Sequence, residues 1–254
     1  MALADLSNLI KIDSRNAKAY YKRGFIYENN YQEFQKALTD LSRAIEIDPD
    51  FKDAYYTRAY VYSYSKQYNA AMADYNKIIE IDPNFAWAYC KRGDVFKNLG
   101  QFDKAMADYD KTIKMDSRNY MAYNGRGSVY LIENQYDKAL HDFNKAISIN
   151  AKYFPPYSNI GYIYLQQNKP DNAIKYFQKC LDQFEPSIDA NLGLAIVYYK
   201  MGNRSEAKAS LDKARTIEPR LSEGVDGIGK LESEGHYWTE RDKGTLKKMF
   251  EELK

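Results

Sequence analysis

The sequence predicts an all-α protein, a solenoid built from antiparallel helix pairs. One arginine recurs at Arg23, Arg58, Arg92 and Arg126, with spacings of 35, 34 and 34 residues. A period of this length in a helix-rich chain is typical of stacked helical hairpins. Around each arginine, aromatic and small residues recur with the 3.6-residue period of a helix, and capping residues or proline close each period.

Composition excludes several functional classes. The chain has 254 residues, with 37 Lys and Arg against 35 Asp and Glu, so no strong net field attracts nucleic acid or an anionic membrane. There is no run of eighteen apolar residues and no signal-peptide layout, so we expect no membrane insertion. Cys90 and Cys180 have no CxxC motif or histidine cluster nearby, so we expect neither a disulfide framework nor a metal site. The compartment stays open, with the cytoplasm as the default.

The N-terminal residues 1–16 predict a half-repeat, a lone second helix without its first. Leu6, Leu9 and Ile12 stand where the apolar residues of such a helix are expected. We expect Leu3, Leu6 and Leu9 to lack a covering helix, which would leave an exposed end suited to self-association.

The next part of the chain divides into six units, each with a first helix A and a second helix B. The units are 17–51, 52–85, 86–119, 120–153, 154–187 and 188–221. In unit 86–119, Tyr89, Gly93 and Phe96 share one face of helix A. Gly100, in the turn before helix B, is expected to take a left-handed conformation.

The recurring residues resemble the tetratricopeptide repeat family over nearly the whole chain. Its pattern has aromatic residues at unit positions 4, 11 and 24, a small residue at 8, alanine at 20 and often proline at 32. Unit 52–85 supplies Tyr55, Ala59, Tyr62, Ala71, Tyr75 and Pro83. The resemblance implies a right-handed superhelical solenoid with a concave groove where peptides lie. Unit 188–221 departs from the pattern, with Asn191 where an aromatic residue is usual.

Residues 222–254 predict a degenerate repeat followed by a C-terminal capping helix. Ile228 and Gly229 resemble a helix A, while Leu246, Met249, Phe250 and Leu253 form an apolar stripe. A helix that shields the last repeat is what a solenoid requires. The alternative is a helix that folds back into the groove or docks a partner.

The recurring arginine is predicted to be structural. It projects toward the packing face, where an unpaired guanidinium would be costly. Helix B of units one to four supplies a carboxylate at position 23, namely Asp40, Asp74, Asp108 and Asp142. Units five and six lack both members, having Ile160 with Tyr176 and Leu194 with Ser210. The loss of both residues together favours an ion pair. Replacing one partner leaves a buried charge without compensation, whereas replacing both can leave stability nearly unchanged. Pairing within a unit is favoured; pairing with the next unit, beginning at Asp5, is the alternative.

The candidate ligand surface is the neighbouring stripe of helix A, which lines the concave groove in the family that the chain resembles. The candidate peptide-binding residues are Tyr21, Phe25, Tyr56, Tyr60, Trp87, Lys91, Asp94, Lys97, Asn124, Ser128 and Tyr162. Tyrosine and tryptophan give large contact areas at little entropic cost. Alternatively, these aromatic residues only shield the inner surface. Family members that clamp a C-terminal carboxylate use several basic residues, of which only Lys91 is matched here.

These features predict a non-catalytic scaffold that binds a protein or peptide in its groove. The alternative is a structural module that self-associates through its ends, within a longer protein. An enzyme is disfavoured because His141 and His236 have no nucleophile or metal partners in register. No glycine loop cradles a phosphate, so no cofactor is expected. RNA binding is also disfavoured. It would need a basic inner surface or a base-reading pair in each repeat, whereas the predicted groove is irregular and mixed in charge.

Overall fold

The computed structural model describes residues 3–31, 33–224, 226–227 and 240–253, and all regular elements in them are helical. The helices are α1 (Leu3–Ile12), α2 (Ala17–Tyr31), α3 (Phe34–Ile47), α4 (Lys52–Tyr64), α5 (Tyr68–Ile81), α6 (Ala86–Asn98), α7 (Phe102–Met115), α8 (Tyr120–Ile132), α9 (Tyr136–Ile149), α10 (Pro155–Gln166), α11 (Pro170–Gln183), α12 (Ile188–Lys200), α13 (Arg204–Ile217) and α14 (Glu240–Glu252). A short 3-10 helix, Pro219–Glu223, follows α13.

Helices α2 to α13 form six consecutive pairs, α2–α3 through α12–α13, which we number 1 to 6. Each pair turns within three residues, so its two helices run antiparallel. One residue of the turn has a left-handed backbone in five of the pairs: Lys66, Gly100, Asn134, Asn168 and Gly202, with φ of 57°, 70°, 59°, 56° and 84°. Gly100 therefore adopts the predicted conformation.

The helices cluster into two compact units, residues 1–117 and 118–254. In the N-terminal unit, α1 packs on α2, α3 packs on α4, and α5 packs on α6. The core is formed by the inward faces of these helices and includes Leu41, Tyr75 and Ile78, all fully buried. Alanines at the helix contacts let the backbones approach closely.

The half-repeat α1 is covered, contrary to the expectation that its leucines lack a covering helix. Leu6 is only 1% exposed and forms a small cluster with Ile10 and Ala19, against which Tyr20 and Ile26 of α2 also pack. A second helix contacts the first helix of the following pair as well as its own partner, so α2 covers α1. Ile12, at the end of α1, remains 86% exposed.

In the C-terminal unit, pairs 4 to 6 pack in the same order and α14 packs on α12. Phe177 of α11 is fully buried between Gly161 of α10 and Gly193 of α12. A Cβ atom at these glycines would lie 2.6 and 2.3 Å from the Phe177 ring, so a larger residue at either place would collide with it. The two glycines fix the spacing of three helices around one ring.

The apolar stripe of α14 is buried. Leu246, Met249, Phe250 and Leu253 belong to the same hydrophobic cluster as the cores of pairs 5 and 6. The stripe predicted from sequence is therefore a packing surface within the C-terminal unit. Ile228, Gly229 and His236 lie outside the described residues.

Candidate functional site

The candidate groove residues of the N-terminal unit lie on α2, α4 and α6 and are half-buried or exposed. Phe25 is 43% exposed and Tyr60 is 44% exposed, although both are large aromatic side chains. Tyr21, Tyr56 and Trp87 are half-buried. Pairs 1 and 2 thus present a row of aromatic surface that packing within the chain does not fully cover.

The tyrosine rings of this row are fixed by phenylalanines that the sequence analysis missed. The ring centroids of Tyr21 and Phe51 are 5.0 Å apart. Those of Tyr56 and Phe85 are 5.9 Å apart, and these two rings meet edge to face. Phe51 and Phe85 are the residues just before α4 and α6. Their recurrence at the last position of the first two predicted units was the available signal. Burial raises the pKa of Tyr21 and of Tyr56, so both hydroxyls are neutral hydrogen-bonding groups at ordinary pH.

On α6, the next first helix along the chain, the candidate residues are mainly polar. Lys91 Nζ lies 3.3 Å from Asp94 Oδ2, and the Tyr109 hydroxyl donates to Asp94 Oδ1 at 2.8 Å. Burial alone would lower the pKa of Lys91, but Asp94 and other nearby groups outweigh it and leave the pKa raised. Lys91 therefore stays charged, and part of the bonding capacity of Asp94 is already used. Lys97 is half-buried on the same helix.

In the C-terminal unit, the candidate residues are tied into local contacts. Ser128 donates to the carbonyl oxygen of Asn124 at 2.8 Å, and Asn124 bonds Tyr153 and Asn159 at 3.4 Å. Tyr162 is only 8% exposed, and its hydroxyl donates to the carbonyl oxygen of Asp189 at 2.9 Å. The accessible aromatic surface therefore lies in pairs 1 and 2, while Tyr162 is a packing residue.

The recurring arginines lie away from this surface and form forked ion pairs. In pairs 1 to 4, Nε and Nη2 donate at 2.7–2.9 Å to both oxygens of one carboxylate: Arg23–Asp40, Arg58–Asp74, Arg92–Asp108 and Arg126–Asp142. The predicted pairing within a unit is confirmed, and the alternative pairing with the next unit is wrong.

In three of these arginines, a third hydrogen bond reaches the preceding second helix. Nη1 donates to Ser7 at 3.0 Å from Arg23, to Ser42 at 3.0 Å from Arg58, and to Asn76 at 2.6 Å from Arg92. One guanidinium thereby joins three helices. These arginines are structural, as the sequence predicts, and are not candidates for ligand binding.

Few groups suited to chemistry occur in the described residues. No group of three or more His, Cys, Asp or Glu in them could hold a metal ion. His141 is exposed on α9, and Cys90 and Cys180 are buried thiols. None of the helices that the structure describes is long and apolar enough to cross a bilayer.

Comparison with known families matches most of the chain to one of them. Models described as tetratricopeptide repeats match residues 17–51, 41–73, 86–119, 120–153 and 164–223, and a TPR repeat model matches 62–100. No curated protein matches the sequence significantly.

Solved structures share the fold at low sequence identity. A chain of the APC/C hetero-tetramer Cut9-Hcn1 gives a TM-score of 0.78 at 17% identity, over 97% of this chain but only 45% of its own. A tetratricopeptide repeat protein from Parabacteroides merdae gives 0.75 at 18% identity, over 98% of this chain and 91% of its own. YrrB, described as a TPR protein with an unusual peptide-binding site, gives 0.55 at 20% identity, over 74% and 97%. The predicted fold class, an all-α solenoid of antiparallel helix pairs, is confirmed.

Proposed function

The chain belongs to the tetratricopeptide repeat family, and on this premise we propose that it is a non-catalytic scaffold whose groove binds an extended peptide or a helix of a partner protein. The observation that supports this most is the row of accessible aromatic rings on α2 and α4. Phe25 and Tyr60, 43% and 44% exposed, are its most accessible members.

The row has the properties of a binding surface. Tyr21 and Tyr56 are held by Phe51 and Phe85, so their rings lose little freedom when a ligand covers them. Aromatic residues in such places carry a large share of binding energy at protein interfaces. Beside them, the positive charge of Lys91 attracts a ligand carbonyl or carboxylate. The ligand that fits has apolar side chains facing α2 and α4 and an acceptor near α6.

The test begins by selecting ligands for the full-length chain from a phage-displayed random peptide library. Selected peptides are then measured by fluorescence anisotropy against wild type, Phe25→Ala and Tyr60→Ala. We expect each variant to weaken binding by about tenfold or more, which corresponds to about 1.4 kcal/mol. Phe184→Ala is the matched control, because Phe184 is 42% exposed but belongs to the C-terminal unit, at the end of α11.

Two outcomes contradict the proposal. If Phe25→Ala and Tyr60→Ala bind like wild type while Phe184→Ala loses affinity, the ligand surface lies elsewhere. If no peptide is selected and light scattering shows a concentration-dependent dimer that Ile12→Asp disrupts, the self-association alternative is favoured. That alternative rests on Ile12, which is 86% exposed at the end of α1.

A further inference from the structure

A cavity of about 540 Å³ opens between α11, α12 and α13. Its volume falls in the range of small-ligand sites, about 300–1,000 Å³. Its lining includes Asn191 and Leu194 of α12 and Ser210 of α13. Ile196 has the same position in its unit as the groove candidate Tyr162. Each helical residue turns the chain by about 100°, so Leu194 lies roughly 200° around α12 from Ile196. The cavity is therefore on the opposite side of α12 from the groove.

The cavity exists because three side chains of the repeat are replaced in pair 6. In pair 2, the equivalent places hold Tyr55, Arg58 and Asp74, which fill the space with an aromatic ring and an ion pair. Pair 6 has Asn191, Leu194 and Ser210 at these places. Each replacement is smaller than the side chain at the equivalent place, and all three residues line the cavity.

Pair 5 differs from pair 6 in the size of the side chain that replaces the aspartate. It too lacks the arginine and the aspartate, having Ile160 and Tyr176 instead. Tyr176 is a large side chain that packs against Tyr164, with ring centroids 5.5 Å apart. In pair 6 a serine, Ser210, stands in place of this tyrosine and lines the cavity.

The walls of the cavity retain hydrogen-bonding groups without partners. Ser210 is only 8% exposed, and its hydroxyl makes no hydrogen bond within the described part of the chain. Asn191 is 2% exposed; its Nδ2 donates to the carbonyl oxygen of Ser187 at 2.9 Å, and no described donor bonds its Oδ1. Gln178 stands where Ser42 and Asn76 accept the third bond of an arginine in pairs 2 and 3.

The mouth of the cavity has a net negative charge. Asp182, Glu185 and Glu206 line it, against a single lysine, Lys213. Tyr198 adds an aromatic ring at the place where Tyr62 lies 5.8 Å from the Arg58 guanidinium. Acceptors, carboxylates and an aromatic ring thus line the cavity, and pair 6 has no recurring arginine to contact them.

We propose that this cavity binds the arginine side chain of a partner protein, which takes in trans the place that the recurring arginine occupies in pairs 1 to 4. A guanidinium suits the site better than an ammonium group, because its flat fork can reach several acceptors and stack on Tyr198. The site is independent of the groove and gives the protein a second contact on its other side.

The test is an NMR titration of the ¹⁵N-labelled full-length chain with three blocked pentapeptides, Gly-Gly-X-Gly-Gly. X is arginine, lysine or citrulline, which has the shape of arginine without its charge. We expect the arginine peptide to shift the resonances of Asn191, Ser210 and their neighbours, with the lysine peptide weaker. The citrulline peptide should bind at least tenfold more weakly than the arginine peptide.

Two variants keep the test decisive. Ser210→Tyr fills the cavity with the residue of pair 5, and Leu194→Arg with Ser210→Asp restores the ion pair of pairs 1 to 4. Both should remain folded and bind the arginine peptide at least tenfold more weakly. Equal binding of arginine and citrulline peptides would overturn the proposal. So would unchanged arginine-peptide binding by the folded Leu194→Arg, Ser210→Asp protein.

Discussion

At the scale of single residues, the recurring arginine explains how a cation can be part of a packing surface. Arg58 is forked to Asp74, bonded to Ser42, and lies 5.6 Å from the centre of the Tyr55 ring. Its donors are largely satisfied and its flat faces are in contact with aromatic carbon. The ion pair is mostly shielded, with the side chains 17% and 6% exposed, so either charge alone would be left without compensation.

A double-mutant cycle tests this role. Arg58→Leu and Asp74→Ser bring the residues of pair 6 into pair 2. Each alone should lower the free energy of unfolding by roughly 3 kcal/mol, because the remaining charge loses its partner. The double variant should lose about 1–3 kcal/mol less than the sum of the two. Urea denaturation followed by circular dichroism gives these values.

The control for the cycle is Lys77→Ala on the same helix as Asp74. It breaks an exposed ion pair with Glu80, in which the side chains are 38% and 69% exposed. Such a pair contributes less than about 1 kcal/mol, so little change is expected. Strictly additive effects of Arg58→Leu and Asp74→Ser would contradict the structural role of the pair.

At the scale of elements, α14 is held to the last pairs by both apolar and polar contacts. Its stripe is buried in the cluster shared with pairs 5 and 6. Near its start, Gln166 Nε2 donates to Asp242 Oδ2 at 2.6 Å, and Asp242 is itself 1% exposed. At its end, Lys208 Nζ donates to the carbonyl oxygen of Leu253 at 3.1 Å. The helix is therefore an integral part of the C-terminal unit.

Met249→Asp should detach this helix. Met249 is fully buried, and a carboxylate in its place would have no partner in the apolar cluster. Hydrogen exchange of α14 amides should then become at least tenfold faster, and α12 should also lose protection. Lys248→Asp is the neighbouring control on the exposed face. Unchanged exchange in Met249→Asp would mean that the stripe does not hold α14 in place.

At the scale of the whole molecule, local pattern was enough to predict the fold class and the ion pairs. The period of Arg58 and Arg92 and the joint loss of both partners in pairs 5 and 6 are visible in the sequence itself. The aromatic row could likewise be predicted, because helical spacing places Phe25 and Tyr60 on the stripe of helix A next to the packing face. These features depend on contacts that repeat from unit to unit.

Contacts made once in the chain could not be predicted in this way. Leu6 is covered by α2 because a half-repeat packs like any other second helix. Tyr162 has the groove spacing, yet it is buried in a cluster that includes the distant α14. The cavity beside Ser210 arises from volumes summed over three helices, which spacing does not reveal. The period of the sequence indicates which residues share a face of a helix. Whether that face is buried depends on which other parts of the chain pack against it.

The two compact units should respond separately to a local change. In repeat arrays, stability is approximately a sum of terms within each repeat and between neighbours, so damage in one region spreads only partly. The chain provides one buried thiol in each unit, Cys90 and Cys180. Burial raises the pKa of both, so each reacts slowly until its surroundings open.

Asp74→Ser, which breaks an ion pair in the N-terminal unit, should therefore act unequally on the two thiols. In pulsed maleimide labelling across a urea series, read by peptide mass spectrometry, we expect the midpoint for Cys90 to fall. The midpoint for Cys180 should fall less or not at all. Ser210→Asp is the converse change, because it places a carboxylate at a buried position of the C-terminal unit, and it should lower the Cys180 midpoint more. Equal shifts of both midpoints in both variants would mean that the chain unfolds as one cooperative block, and the nearest-neighbour account of its stability would then be wrong.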